Sequence, residues 1–414
     1  MQLRPHQERA LNAMQSTNYG QVYVPTGGGK TYIMIAHCRE LFAAATKPQT
    51  IVVVAPRILL AQQLQSEFSE FITDAMIGHI HSGETPFFST TKPSTIMSAV
   101  TLWQANHKHQ ILFTTYHSLG RIVDSGIDID CIYFDEAHNS CGRAFFKPVF
   151  AVSQYAERRY FFTATPKIGR GQSAQRGMNN TDVYGGVLCN VPAQELISGG
   201  AIVPPKVVPF ETDRVRNKHN AHEVDADNLK DMFEDLDDTQ NHKVLVAAPS
   251  SRILGNMLGH TDVLDYFYGQ GYDVMHITSK FGAIINDRKV GRDEFFQTLQ
   301  EWGADDDKRF VIFHYSILSE GINVPGLTHT ILLRNLPIVE MAQTIGRVIR
   351  VHKDDRAAVA QGLIPAGAFH LYKKQEGVVT MPTGYKMGDA IAQRLQRVVD
   401  SIFIEGVPPL AFAS

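Results

Sequence analysis

The residues best equipped for chemistry stand in two short stretches. The first is Val24-Pro25-Thr26-Gly27-Gly28-Gly29-Lys30-Thr31, between the apolar run Gln21–Val24 and a helix-patterned segment beginning near Tyr32. Strand, glycine turn, Lys-Thr, helix is the layout of a phosphate-binding loop. Glycines let successive amide N–H groups converge on phosphate oxygens at the positive end of a helix dipole. Lys30 would reach the outer phosphates and the Thr31 hydroxyl would ligate Mg²⁺. The strict pattern places a glycine where this chain has Val24, so the loop alone also fits a plain glycine-rich turn. The second stretch is Asp135-Glu136-Ala137-His138, directly after the apolar run Cys131–Phe134. Adjacent carboxylates at a strand's C-terminal end lie where an open parallel sheet presents its site. One can hold Mg²⁺ while the next accepts a proton from an attacking water.

These stretches need a scaffold that brings them to one edge, and the sequence pattern supplies it. Short apolar runs alternate with helix-length segments: Val22–Val24, Ile51–Val54, Ile111–Phe113, Cys131–Phe134 and Tyr160–Phe162. Near-continuous apolar strands separated by helices predict a parallel sheet covered on both faces. Residues 168–182, rich in Gly, Ser, Asn and Arg, read as a mobile loop, and Val203-Pro204-Pro205-Lys206 as a hinge. The acidic segment 211–240 reads as a helical arm or a disordered insert. A second alternating set follows in Lys243–Ala247, Val274–Ile277, Phe310–Phe313 and Thr330–Leu333. Residues 390–404 place Ile391, Leu395, Val398, Val399 and Ile402 on one helix face, expected to pack on the second domain.

The chain has 414 residues, enough for two or three full cores, with 44% apolar and 20% charged residues. Its formal net charge of -3 advertises no global attraction to nucleic acid, so a nucleic-acid binder of this composition needs a local basic groove. The four cysteines (Cys38, Cys131, Cys141, Cys189) have no zinc-like spacing and fit a reducing cytoplasm. No apolar run approaches the roughly 18 residues of a membrane span. The N-terminal Met1–Pro5 lacks a signal-peptide core.

With these motifs in order along the chain, it resembles a superfamily 2 helicase or translocase, most closely the type III restriction-subunit and phage recombination-helicase branch. The resemblance runs from Arg4 to Arg350. It implies two tandem RecA-like doubly wound α/β domains, 1–205 and 206–355, with the ATP site in the cleft between them and a helical extension at 356–414. Arg4-Pro5-His6-Gln7 is similar to the family's adenine-reading element, with Gln7 on the base. Pro25–Thr31, including Thr26, Gly27, Gly28 and Gly29, is similar to motif I. Pro56-Arg57 resembles motif Ia, and Thr115, Tyr116 and Ser118 lie in a likeness of motif Ib; both imply contacts to a nucleic-acid backbone. Asp135–His138 resembles motif II, implying Mg²⁺ at Asp135, a general base at Glu136 and a link from His138 to motif III, Thr163-Ala164-Thr165. Thr163, Thr165 and, in the motif IV likeness, Ser250 join the implied nucleic-acid set. Ser319–Pro325 resembles motif V through Gly321 and Asn323, where the family usually has Asp in place of Asn323.

Gln343–Arg350 resembles motif VI. Arg347 and Arg350 are three apart, so a helix would put both on one face, and the family supplies such an arginine to the transition state. The metal set implied is Thr31, Asp135 and Glu136; the cofactors are ATP and Mg²⁺. The expected activity is nucleic-acid-dependent ATP hydrolysis driving movement on, or remodelling of, branched or forked DNA. The alternatives are an RNA helicase and a non-unwinding motor or sensor subunit. A monomer in a bacterial or phage-infected cytoplasm, with an accessory protein at 356–414, completes the expectation.

Overall fold

The computed structural model describes residues 1–236, 241–278, 280–315, 324–408 and 410–413. They form two compact units, Met1–Pro192 with Pro408–Ser414, and Ala193–Val407.

The strands of the first unit are β1 (Tyr19–Tyr23), β2 (Thr50–Ala55), β3 (Ala75–Ile80), β4 (Phe88–Ser89), β5 (His109–Thr115), β6 (Cys131–Phe134), β7 (Arg158–Thr163), β8 (Lys167–Ile168) and β9 (Val187–Asn190). Eight of them build one sheet in the order β4-β3-β5-β2-β6-β7-β1-β9. Every pairing in it is parallel. Every strand therefore ends at the same edge, and the loops after β1, β2, β5, β6 and β7 converge there. The central strands are buried on both faces: β2 and β6 have no exposed residue. Phe134 stacks on Phe161 across the β6–β7 pair with ring centroids 4.5 Å apart. Each apolar run read from the sequence is a strand here. The outer strand β3 escaped notice because Gly78 and His79 interrupt its apolar pattern.

Residues 168–182, expected as a loop, hold defined local structure. They carry a 3₁₀ turn at Gly171–Arg176 and a short helix starting at Thr181. Their small polar residues bond locally: Asn179 accepts from Gly169 N at 2.7 Å and donates to Gly169 O at 3.2 Å. The chain's last strand, β18 (Ala411–Phe412), pairs in parallel with β8, just beyond Thr163–Pro166.

The second unit holds β10 (Pro205–Glu211), β11 (Lys243–Ala247), β12 (Asp273–Thr278), β13 (Gly282–Ile285), β14 (Arg288–Val290), β15 (Phe310–His314), β16 (His329–Leu332) and β17 (Gly377–Thr383). They are ordered β10-β17-β16-β11-β15-β12-β13-β14. Six strands, β10 to β12 in that order, are parallel, and β13 and β14 extend the β12 edge by antiparallel pairing. The two-residue turn Asn286-Asp287 makes that edge, with φ of 45° and 64°. Positive φ at both positions matches the twist of a tight hairpin, and Asn and Asp tolerate it best after glycine. Within 211–240, Ala221–Glu234 is a helix whose Val224, Leu229, Met232 and Phe233 are buried in the core, so it is neither arm nor insert. The helix Lys386–Val398 buries Ile391, Leu395 and Val398, and Val399 and Ile402 follow in the next turn, as their periodicity predicts. Among the described residues no helix is long and apolar enough to cross a membrane.

Candidate functional site

The glycine loop leaves β1 through Val24, which is fully buried and donates its N–H to Thr163 O at 3.1 Å. Position 24 is thus a core position, which explains an apolar residue where the strict motif has glycine. Gly27 and Gly29 take φ of 87° and 80°, a region that a Cβ would strain. Gly29 caps helix α2 (Lys30–Ala44; α1 spans Pro5–Gln15), so Lys30 and Thr31 open that helix at its positive end.

Gln7 lies against the loop. Its Nε2 is 3.2 Å from Gly28 O and 3.4 Å from Gly29 O, while Oε1 accepts from Arg4 N at 2.9 Å. His6 Nε2 adds a contact to Gly28 O at 2.8 Å. The amide expected on a base is engaged at both ends with backbone, and a Cβ on Gly29 would fall 2.3 Å from Gln7 Nε2.

Asp135 and Glu136 follow β6. Asp135 N donates to Val54 O at 2.8 Å, fixing the turn to β2. Glu136 has φ of 45°, a left-handed conformation costing a non-glycine residue about 1–3 kcal/mol. That turn sends its carboxylate back over the sheet edge, with Oε1 3.2 Å from Lys30 Nζ. Both carboxylates are buried. Burial and the neighbouring Glu136 charge push the Asp135 carboxyl well above the usual carboxylate range, against a smaller pull from Lys30. Asp135 and Thr31 are hard oxygen donors, so the site fits Mg²⁺.

His138 joins this centre to the end of β7. Its Nδ1 lies 3.0 Å from Thr163 Oγ1, 3.1 Å from Thr165 Oγ1 and 3.6 Å from Glu136 Oε2. Asn139 Nδ2 approaches Nε2 at 3.3 Å as a donor, which assigns the ring proton to Nδ1, facing the hydroxyls.

Several residues expected on nucleic acid are redirected. Thr163 and Thr165 are buried, their hydroxyls turned inward to His138, so neither reaches a strand from this conformation. Thr115 is buried and accepts from Ser118 N at 3.3 Å. Tyr116 is buried too, and its hydroxyl donates to Asp135 O at 2.8 Å, bracing the acidic turn from behind. The aromatic periodicity of a core explains this, and it could have been read from Tyr116 following an apolar strand. Pro56 is buried as well, whereas Arg57 and Ser118 keep partial exposure at the sheet edge. Arg57 precedes helix α3 (Ile58–Phe71). In the second unit the Ser250 hydroxyl oxygen caps its helix, accepting from Ile253 N at 3.1 Å.

Gly321 and Asn323 lie outside the described residues. Gln343 and Arg347 are buried on the helix Ile338–Val348, with Arg347 Nη1 3.4 Å from Gln343 O. Arg350 is not on that helix. The helix stops at Val348, and Arg350 forms an antiparallel bridge with Ile202. The shared-face expectation therefore fails: Val203 N takes Ile349 O at 2.8 Å, pulling the chain into extended form.

Residues 1–168 match the family model described as "Type III restriction enzyme, res subunit". The whole chain superposes on the DNA-bound Type ISP restriction-modification enzyme LlaBIII with a TM-score of 0.71 at 17% identity, spanning 31% of that enzyme. A putative HsdR subunit of a type I restriction enzyme from Vibrio vulnificus YJ016 gives 0.64 at 15% identity, covering 99% of this chain and 68% of that one. The DEAD-box helicase Mss116, bound to single-stranded RNA and UDP-BeF, gives 0.60 at 12% identity over 100% of this chain and 75% of that one. No curated protein matches the chain. The chain spans about a third of the LlaBIII enzyme's length. Residues 1–168 are thus similar to a restriction res subunit, and the likeness to these solved structures shows the fold of the chain, two consecutive parallel-sheet α/β units of the RecA-like kind.

Proposed function

We propose that this motor acts on DNA, hydrolysing ATP to move along or remodel forked or branched structures. The observation that carries the reading is the grouping of Lys30, Glu136, His138, Thr163 and Thr165 at one sheet edge. Lys30 and the loop amides hold the phosphates. Asp135 and Thr31 would hold Mg²⁺, whose charge would help neutralise the phosphates. Glu136 takes the proton of the attacking water, and Lys30 leaves it for the phosphates when ATP arrives. Arg347 and Arg350 neutralise charge on the transferred phosphoryl group. His138 passes the state of Glu136 to the Thr163–Thr165 turn, the first step from chemistry to movement. Arg57 and Ser118 touch the strand's phosphates from the same edge.

The res-subunit match and the DNA-bound LlaBIII relative favour DNA. The RNA-bound Mss116 keeps an RNA helicase as the second reading. The test is an ATPase panel over single-stranded, duplex, forked and four-way DNA and over RNA, with strand displacement read in parallel. Greater stimulation by DNA, and most by forked or four-way DNA, is expected; preference for RNA would replace the proposal with the second reading.

A further inference from the structure

Arg350 lies off its helix, so something other than helical packing must hold it. Its backbone meets Ile202 on one side. On the other, Lys374 Nζ donates to Arg350 O at 2.9 Å and to Leu327 O at 2.6 Å. Leu327 closely follows Val324-Pro325, the described end of the motif V likeness. One amine thus ties the segment trailing motif V to the last residue of motif VI.

Lys374 is itself fixed from behind. The buried Asp355 accepts from Lys373 N at 2.8 Å through Oδ1 and from Lys374 N at 3.1 Å through Oδ2. The strand that follows starts at Gly377, where a Cβ would fall 2.6 Å from Val348 O, so the backbone after Lys374 presses directly on the end of the motif VI helix. The charged and titratable groups facing the amine are Arg350, Asp355 and His329. Burial and the Arg350 charge push the amine down to about 7, with Asp355 opposing. Either protonation state keeps at least two N–H donors for the two carbonyls.

We infer that Lys374, beyond the recognised motifs, is a positioning residue for Arg350, locking its backbone to the motif V segment so that its guanidinium meets the phosphoryl group in one place. This rests on the proposed role of Arg350 in hydrolysis. A lysine spanning two backbone carbonyls removes the freedom that an extended residue beyond a helix end would otherwise keep.

The test is a mutant cycle on the full chain with saturating DNA, reading kcat and, separately, ATP binding by equilibrium titration. Lys374→Met should lower kcat about tenfold with ATP affinity unchanged within about twofold. In the Arg350→Ala background the same change should cost nothing further, because both act through one guanidinium. Thermal melting accompanies each variant. If Lys374→Met melts early, Lys374→Gln, which keeps two N–H donors on a shorter stem, takes its place in the cycle with the same expectation. Wild-type kcat in the folded variant, a matching loss of ATP binding, or a loss that multiplies with that of Arg350→Ala overturns the positioning role. If Arg350→Ala alone hydrolyses at the wild-type rate, it is the reading of Arg350 that falls.

Discussion

Lys30 Nζ and Glu136 Oε1 stand 3.2 Å apart, one at the start of a helix and the other in a left-handed turn after β6. Under the proposed function the pair would set an order of events: while Lys30 holds Glu136 the carboxylate's charge is shared, and phosphates that drew Lys30 away would release the base. Lys30→Ala should therefore lose ATP binding and turnover together. Glu136→Gln should keep ATP binding and lose turnover by about 10²–10⁴-fold, the usual worth of a positioned base. Equilibrium ATP binding beside steady-state hydrolysis separates the two, and near-normal turnover by Glu136→Gln would remove the base assignment.

His138 Nδ1 meets two hydroxyls, Thr163 Oγ1 and Thr165 Oγ1. Thr165→Val keeps the shape but removes one acceptor. DNA-stimulated ATP hydrolysis should fall less than threefold while strand displacement or translocation falls by about tenfold or more, because the link rather than the base is altered. Parallel loss of both activities would make the turn part of the chemistry instead.

Arg347 and Arg350 differ in setting, one buried within a helix and the other beyond its end. Arg350→Ala should lower kcat by about 10³-fold with ATP affinity nearly unchanged. Arg347→Ala should also lower the melting temperature, since it empties a buried position. Differential scanning fluorimetry with the ATPase assay distinguishes them, and equal destabilisation by both would contradict the two settings.

His79 and His81 are buried neighbours, with His79 Nδ1 2.9 Å from His81 Nε2. Gly83 N donates to His81 Nδ1 at 3.1 Å, so the His81 proton sits on Nε2 and points at an unprotonated His79 Nδ1. A second proton would set two donors face to face, and burial with the His81 contact holds His79 down to about 4. The unfolded chain takes that proton below its ordinary 6.5, while the folded one refuses it until about 4. Stability is therefore fully present above pH 6.5 and falls as pH drops toward 4, by at most about 3 kcal/mol for this group. Urea unfolding at pH 7.5 and pH 5 should show a smaller difference in His79→Gln than in the wild type; an unchanged difference would assign the acid sensitivity elsewhere.

Local pattern was enough for β1, β2, β5, β6 and β7 of the first sheet and for the apolar stripe of 390–404, because burial on one or both faces writes a period into the chain. It was also enough to place Lys30–Thr31 and Asp135–Glu136 at strand ends, since a parallel sheet delivers all such ends to one edge. It failed where a residue's role depends on a distant partner. Tyr116, Thr163 and Thr165 carry polar groups that suit a strand contact equally well. Only the packing of β5, β6 and β7 turns them inward, onto Asp135 O and His138. Arg350 follows helical spacing from Arg347, yet backbone bonds to the segment around Ile202 draw it out of the helix, at no cost that a periodicity could register. Residue type sets which chemistry is possible, because it limits what can hold a phosphate or take a proton. Tertiary structure alone decided which of those groups meet, because hydrogen bonds and burial act between residues that the chain keeps far apart.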